Sequence, residues 1–270
     1  MKYDLFISDF DGTLVREDGT ISHRTREEIA RFLEKGGIFA VCTGRMLPSV
    51  LPRLKELGIS DGLVVAFQGA TVYDIATGKL LKDDAFSDGE ALPIIRLLEE
   101  GGHHFHVYTQ DALYVNQRDD MLKVYERLSG MQATVITDEL LSSFTERNDL
   151  RVVKLLIMLE PSGRKALMEK LEASLGEKYY VTCSHPWMIE IMPKGQNKGA
   201  AIGFLSEYYG IPVDKIAAVG DQLNDLPMLE AAGGKFTVKN GADELKAIAE
   251  VVPSNDEDGV AYLLKKITEE

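Results

Sequence analysis

The chemistry of this chain starts from two aspartates. Asp9 and Asp11 stand two apart in Asp9-Phe10-Asp11-Gly12-Thr13, and while the chain stays extended their side chains point the same way. Two anions that close need a cation or a shared proton, and a divalent metal is the economical partner. Mg²⁺ takes hard oxygen ligands, usually one or two carboxylates with substrate phosphate and water. Asp9, Asp221 and Asp225 can supply those carboxylates, without the Cys and His ligands that zinc prefers. Lys198 opens a helical pattern, where free N–H groups and the positive end of the dipole favour an anion. The Thr43 hydroxyl and the Gly44 N–H can hold a phosphoryl oxygen, since glycine allows close backbone approach.

The usual nucleophile motifs are missing: the sequence holds no Gly-rich Walker motif with its Lys-Ser/Thr, no Ser elbow and no Cys-x5-Arg. A carboxylate that forms an aspartyl-phosphate is the covalent route left. Asp9 then attacks, while Asp11 protonates the leaving oxygen and later deprotonates the hydrolytic water. Metal and Lys198 offset the repulsion between carboxylate and phosphoryl group.

These residues need elements that bring them together. Continuous apolar runs at Leu5 to Ser8, Ile38 to Cys42, Leu63 to Phe67, Ile216 to Val219 and Phe236 to Val238, with a weaker one at Val251-Val252, read as strands buried on both faces. Helical patterns lie between them. One opens near Ser22 or Thr25, with Glu28 as a capping-box partner of Thr25, and closes at Gly36-Gly37; others run from Asn197 to Gly210 and from Asn224 to Ala232, with Pro227 in its first turn. This is a doubly wound parallel-sheet, Rossmann-like α/β core. Ligands of such sheets bind outside the carboxyl ends of the strands. There stand Asp9 and Asp11, Thr43-Gly44-Arg45, Gln68-Gly69, Gly220-Asp221 with Asn224 and Asp225, and Lys239-Asn240-Gly241. The parallel rhythm stops in the middle of the chain, which reads as an inserted α+β module. The expected division is residues 1–81 core, 82–189 inserted domain, 190–270 core.

Composition narrows the function classes. With 45% apolar and 27% charged residues in 270, disorder and disulfide-stapled miniprotein folds are excluded. A formal charge of −13 disfavours nucleic acid and anionic membranes as partners. Cys42 and Cys183 lie far apart in apolar runs, which fits reduced thiols and a cytoplasmic setting. The N-terminal apolar run of Leu5, Phe6 and Ile7 is too short for a signal peptide, and no stretch reaches the roughly 18 apolar residues of a membrane span.

At these residues the chain resembles the haloacid dehalogenase (HAD) superfamily of phosphatases, in its Cof-type subgroup with a large cap inserted after the third core strand. Asp9-Phe10-Asp11-Gly12-Thr13-Leu14, Thr43-Gly44-Arg45, Lys198 within Asn197-Lys198-Gly199, and Gly220-Asp221-Gln222-Leu223-Asn224-Asp225 match its four motifs in order. The resemblance implies a HAD core with an α+β cap domain and Asp9 as nucleophile and Mg²⁺ ligand. Asp11 is then the acid/base with its backbone carbonyl on the metal, Thr43 and Lys198 hold phosphate, and Asp221 is a metal ligand. Asn224 and Asp225 support them, Gly12 and Gly44 lie along the phosphate, and Asn240 and the stretch 254–260 border the site. The substrate expected is a small phosphorylated metabolite, with sugar phosphates first and flavin or pyridoxal phosphates next. A phosphotransferase or phosphomutase using the same Asp9, and a non-catalytic phosphometabolite sensor, are the rival readings. A monomer or small homo-oligomer is expected.

Several residues keep two readings. Arg45 suits either a substrate contact or an ion pair with core acids, and Asp225 can cap a helix as well as face a metal. His104 and His106 share a strand face and are expected to face solvent or a substrate in the cap rather than hold a metal. Trp187 and Lys154 are further cap candidates. The acidic end, with Glu269-Glu270, reads as a solvated tail.

Overall fold

The computed structural model describes residues 1–56, 58–183 and 185–269. The chain divides into two compact units, one of Met1–Gly44, Pro52–Asp83 and Asn197–Glu270, the other of Arg45–Leu51 and Asp84–Gln196. The first unit contributes strands β1 (Leu5–Asp9), β2 (Ile38–Cys42), β3 (Leu63–Ala66), β4 (Thr71–Asp74) and β5 (Lys79–Asp83). The second contributes β6 (His104–Tyr108), β7 (Leu113–Val115), β8 (Thr134–Val135), β9 (Lys154–Met158), β10 (Tyr179–Thr182) and β11 (Met188–Pro193). The chain then returns to the first with β12 (Ile216–Gly220), β13 (Gly234–Val238) and β14 (Glu250–Val252). Thus β5 completes the first sheet beyond residue 81, and β11 belongs to the second beyond residue 189.

The first sheet runs β14-β13-β12-β1-β2-β3-β4-β5. It is parallel from β14 to β3 and antiparallel through β4 and β5, an edge hairpin that the apolar runs did not announce. Both faces are buried, as the unbroken runs require. Leu5, Ile7, Ala40, Cys42, Leu63 and Val65 pack with Ala201, Ile202 and Leu205 of a helix at Lys198–Tyr209. On the opposite face Phe6 stacks on Phe39, with ring centroids 5.9 Å apart, and meets Phe32 edge-on at 6.2 Å.

Helices complete the α/β layering. They are α1 (His23–Glu34), α2 (Leu47–Glu56), α3 (Ala91–Glu100), α4 (Asp120–Ser129), α5 (Leu141–Arg147), α6 (Pro161–Leu175), α7 (Lys198–Tyr209), α8 (Leu226–Ala231), α9 (Asp243–Lys246) and α10 (Gly259–Glu269). Ser22 is the N-cap of α1, its hydroxyl accepting from Thr25 N at 3.0 Å. The Thr25–Glu28 capping box does not form, because α1 starts at His23 and Thr25 is already inside the helix, while Glu28 pairs with Arg31 at 2.8 Å. The segment before Pro227 makes a 3₁₀ turn at Leu223–Asp225, so α8 starts at Leu226. Glu269 is exposed, as expected of the acidic end, and it closes a packed helix: Leu263, Leu264 and Ile267 of α10 are buried, and α10 lies against α1. Glu270 lies outside the described residues.

The second sheet, β10-β11-β9-β6-β7-β8, is antiparallel except for β7 with β8. One face, with Phe105, Val107, Leu155, Ile157, Ile189 and Ile191, packs on Ile94, Ile95 and Leu98 of α3 and Leu171 of α6. The other face of the same strands mixes apolar Leu156, Met158, Met188 and Met192 with buried polar residues. His104 contacts Asp119 at 2.7 Å and His106 at 2.9 Å, while Lys154 pairs with Glu190 at 3.1 Å. His104 and His106 therefore do not face solvent.

Leu264→Ala should cost about 2–5 kcal/mol in equilibrium urea unfolding. A change within about 0.5 kcal/mol would mark α10 as a dispensable tail.

Candidate active site

Parallel pairing brings the carboxyl ends of β1, β2, β12 and β13 to one rim. Asp9 ends β1 opposite Cys42, the last residue of β2, and Thr43 follows. Gly220 ends β12 opposite Thr237 of β13, and Asp221 follows. Lys198 arrives from elsewhere. The Asn197 side chain caps α7 by accepting from Ala200 N at 3.0 Å, which sets Lys198 at the first helical position.

The Lys198 side chain is almost wholly buried and donates to Oδ1 of Asp9 and to Oδ1 of Asp225. Burial opposes its charge, but Asp225 and Asp9 outweigh that and hold its pKa well above the ordinary lysine value. Lys198 is therefore a fixed cation at working pH. Asp225 also uses Oδ2, which accepts from the backbone N–H of Asp221 at 2.9 Å and of Gln222 at 3.0 Å. This carboxylate thus folds the loop that carries Asp221, and it caps and pairs at once.

Asp221 is aimed by two neighbours. The Thr13 hydroxyl donates to Oδ1 at 2.7 Å and the Gln222 amide donates to Oδ2 at 3.1 Å. The close approach needs Gly12: its φ is +79°, and a Cβ there would stand 2.6 Å from Asp221 Oδ2. Thr13 and Gln222 belong to the quoted motifs, but their type and spacing gave no role in the sequence. Their work shows only once β1 and β12 are side by side.

One ligand atom each from Asp9, Asp221 and Asp225 lies within 4.8 Å of the others. Burial lifts the Asp9 pKa well above its ordinary value, with Asp225 and Asp221 adding to the rise and Lys198 opposing it. Burial, then the Asp225 charge, pushes Asp221 up to about 6. When ionised, three carboxylates and one ammonium carry a net charge of −2 over these four groups. An all-carboxylate oxygen set with that deficit fits Mg²⁺. Among the described residues no other group of three His, Cys, Asp or Glu side chains is so placed.

The remaining expected residues are not members of this group of three. Asp11 lies on an exposed turn and bridges to Val15 through its backbone, outside the group of three. Thr43 is buried, its N–H donating to Val65 O at 2.8 Å and its carbonyl accepting from Gln68 N at 3.0 Å. Arg45 donates to the Ser49 hydroxyl at 3.1 Å and the Ser129 carbonyl at 3.2 Å. Asn240 donates to the Gly12 carbonyl at 2.8 Å and accepts from Asn255 N at 3.1 Å, and Asn255 donates to Val15 O at 3.0 Å. Asn224 donates to Gln68 Oε1 at 3.1 Å, while its own buried Oδ1 has no hydrogen-bond partner among the described residues. Phe67 and Gln68 hold left-handed backbone at φ +47° and +58°, a strained conformation for non-glycine residues. The Cys42 thiol is buried, and burial pushes its pKa up.

The family model for haloacid dehalogenase-like hydrolases matches residues 6–264. The chain belongs to that family. This HAD-family chain is 32% identical over 280 residues to 5-amino-6-(5-phospho-D-ribitylamino)uracil phosphatase YwtE of Bacillus subtilis (strain 168), with 96% of each chain covered. A solved haloacid dehalogenase-like hydrolase from B. subtilis superposes with a TM-score of 0.87 at 26% identity, covering 97% of this chain and 99% of that one. A crystal structure from Thermotoga maritima gives 0.83 at 29% identity, over 98% and 97%. No helix among the described residues of this HAD protein is long and apolar enough to cross a membrane.

The raised Asp9 and Asp221 values fix a sign. A carboxylate whose folded pKa lies above its unfolded value binds extra protons in the native state, so metal-free stability falls as pH rises from about 4 through the raised values. In EDTA at pH 8, Asp221→Asn should therefore melt above the wild type, and at pH 5 the gap should narrow. With excess Mg²⁺ the order should reverse. A lower melting temperature for the variant in EDTA at pH 8 would contradict the electrostatic account.

Proposed function

We propose that this hydrolase is a Mg²⁺-dependent phosphatase that removes phosphate from a small metabolite through an aspartyl-phosphate on Asp9. What carries the reading is the buried Lys198 ammonium shared by Asp9 and Asp225, with Asp221 beside them. A carboxylate that accepts a phosphoryl group must approach an anion, and here a fixed cation already sits on that carboxylate.

Asp9, Asp221 and Asp225, with the Asp11 carbonyl, would hold the metal. Mg²⁺ bound there supplies Lewis-acid charge toward the phosphoryl oxygens. Asp9 attacks phosphorus, and the bond to the leaving oxygen breaks as Asp11 gives that oxygen its proton. Asp11 then takes a proton from water, the water oxygen attacks phosphorus, and phosphate leaves as the Asp9 carboxylate is restored. Gly12, Thr43, Gly44 and Asn224 border the phosphate, and Lys198 neutralises it. The orphaned Asn224 Oδ1 supports a polar group there, since buried acceptors rarely stay unpaired.

The inserted unit, residues 82–189 in the sequence reading, serves as the cap that selects the leaving group. Sugar phosphates are the first substrate class, and the named B. subtilis relative, whose substrate carries a phosphoribityl chain, agrees with a polyol phosphate. Two free cysteines, Cys42 and Cys183, fit a reducing cytoplasm.

Phosphate release from a panel of sugar, ribityl, flavin and pyridoxal phosphates tests this, with Mg²⁺ or EDTA. Turnover should require metal and fall about a thousandfold or more in Asp9→Asn. Turnover that survives that substitution would remove Asp9 as nucleophile. Added polyol acceptors that lower free phosphate without slowing substrate loss would favour a phosphotransferase.

A further inference from the structure

Helix α4 is held at both ends. At its start Asp119 caps Leu122 N at 2.9 Å through Oδ1, while Oδ2 accepts from Gln117 at 2.7 Å and meets His104 Nδ1 at 2.7 Å. At its other end the Ser129 carbonyl accepts from the Ser49 hydroxyl at 2.6 Å and from Arg45 at 3.2 Å. That carbonyl belongs to the last turn of a helix, where intrahelical donors run out and the dipole favours a cation. The next residue, Gly130, leaves the helix with φ +71°. The Arg45 charge reaches further along the same helix, since it opposes the burial that pushes Tyr125 up to about 12.

The clamp sits at a boundary in the chain. Residues Arg45–Leu51 group with α4 in the second unit, whereas Gly44 belongs to the first. Arg45 is thus bonded covalently to the turn whose Thr43 is fixed on both backbone sides by Val65 and Gln68. A planar guanidinium with several donors can serve the Ser49 hydroxyl and the Ser129 carbonyl together, which a lysine point charge does less well.

We propose that Arg45 is a positioning residue: with Ser49 it clamps the Ser129 carbonyl of α4 and so fixes the exit of the Thr43-Gly44 turn. The clamp stands on geometry alone, and its consequence for turnover rests on the phosphatase reading above.

Hydrogen exchange by mass spectrometry on the full Mg²⁺-loaded chain tests the clamp, beside kinetics with p-nitrophenyl phosphate. Arg45→Met should speed exchange over residues 121–129 about tenfold, the loss expected for a hydrogen bond to a charged donor, and leave residues 161–175 of α6 unchanged. kcat should fall more than KM rises, and Arg45→Lys should recover part of both effects. Ser49→Ala, which removes only a hydroxyl, should speed the same segment and decides the matter if Arg45→Met loosens the whole fold. Unchanged exchange at 121–129 in both variants overturns the clamp, and a raised KM alone would then return Arg45 to the substrate. An inactive wild type would count against the phosphatase reading, while the exchange comparison would still decide the clamp.

Discussion

An ammonium group buried between two carboxylates is the constraint around which this molecule is organised. Taking Lys198, Asp9 and Asp225 out of water costs several kcal/mol per ion, and their mutual attraction repays it only with close geometry and satisfied remaining atoms. The surrounding structure meets those terms. Asp225 uses its second oxygen on two backbone N–H groups, and the cap by Asn197 fixes where Lys198 enters. A buried triad of this kind is weak evidence for stability, and replacing it with apolar residues is often neutral or better. In the proposed reaction the triad puts a positive charge beside Asp9, the carboxylate that would attack.

The same requirement explains features of the fold that look unrelated. Lys198 is far from Asp9 in sequence, so the two can meet only if the chain returns to the first sheet after the inserted unit and α7 packs beside β1. Gly12 must be glycine because Asp221 occupies the space of its Cβ. Thr13 and Gln222 spend their hydrogen bonds holding Asp221, and Asn240 and Asn255 steady the turn that follows Asp9. Each contact limits how far a carboxylate can move when its negative neighbours repel it.

The sheet and the rim were legible because they rest on local signals. Unbroken apolar runs mark strands buried on both faces, and polar residues directly after them mark the ligand edge. Other elements depend on partners distant in sequence. Pro48 and Pro52 obscure α2, although Pro48 sits in its first turn, where a missing N–H costs nothing. The β4–β5 hairpin is half-exposed and short, so it carries no buried run. Val260, Leu263, Leu264 and Ile267 repeat at helical spacing in α10, but the partner that buries them, α1, lies far off in sequence. Burial of His104 and His106 depends on Asp119 and on Tyr125 of α4, and no strand pattern announces either. The aspartates taken from the sequence as carboxylate ligands, Asp9, Asp221 and Asp225, do converge, while Asp11, expected on the metal through its backbone carbonyl, has its side chain on an exposed turn.

The central claim is that a divalent cation completes a cluster left with too much negative charge by its one ammonium. Calorimetric titration of Mg²⁺ into the metal-free chain, in two buffers of different ionisation heat, tests it most directly. Because Asp9 and Asp221 hold protons more tightly than ordinary carboxylates, binding near pH 6 should release protons, and affinity should weaken as pH falls through about 6. Binding that releases no protons and keeps its affinity from pH 5 to 8 would contradict the account.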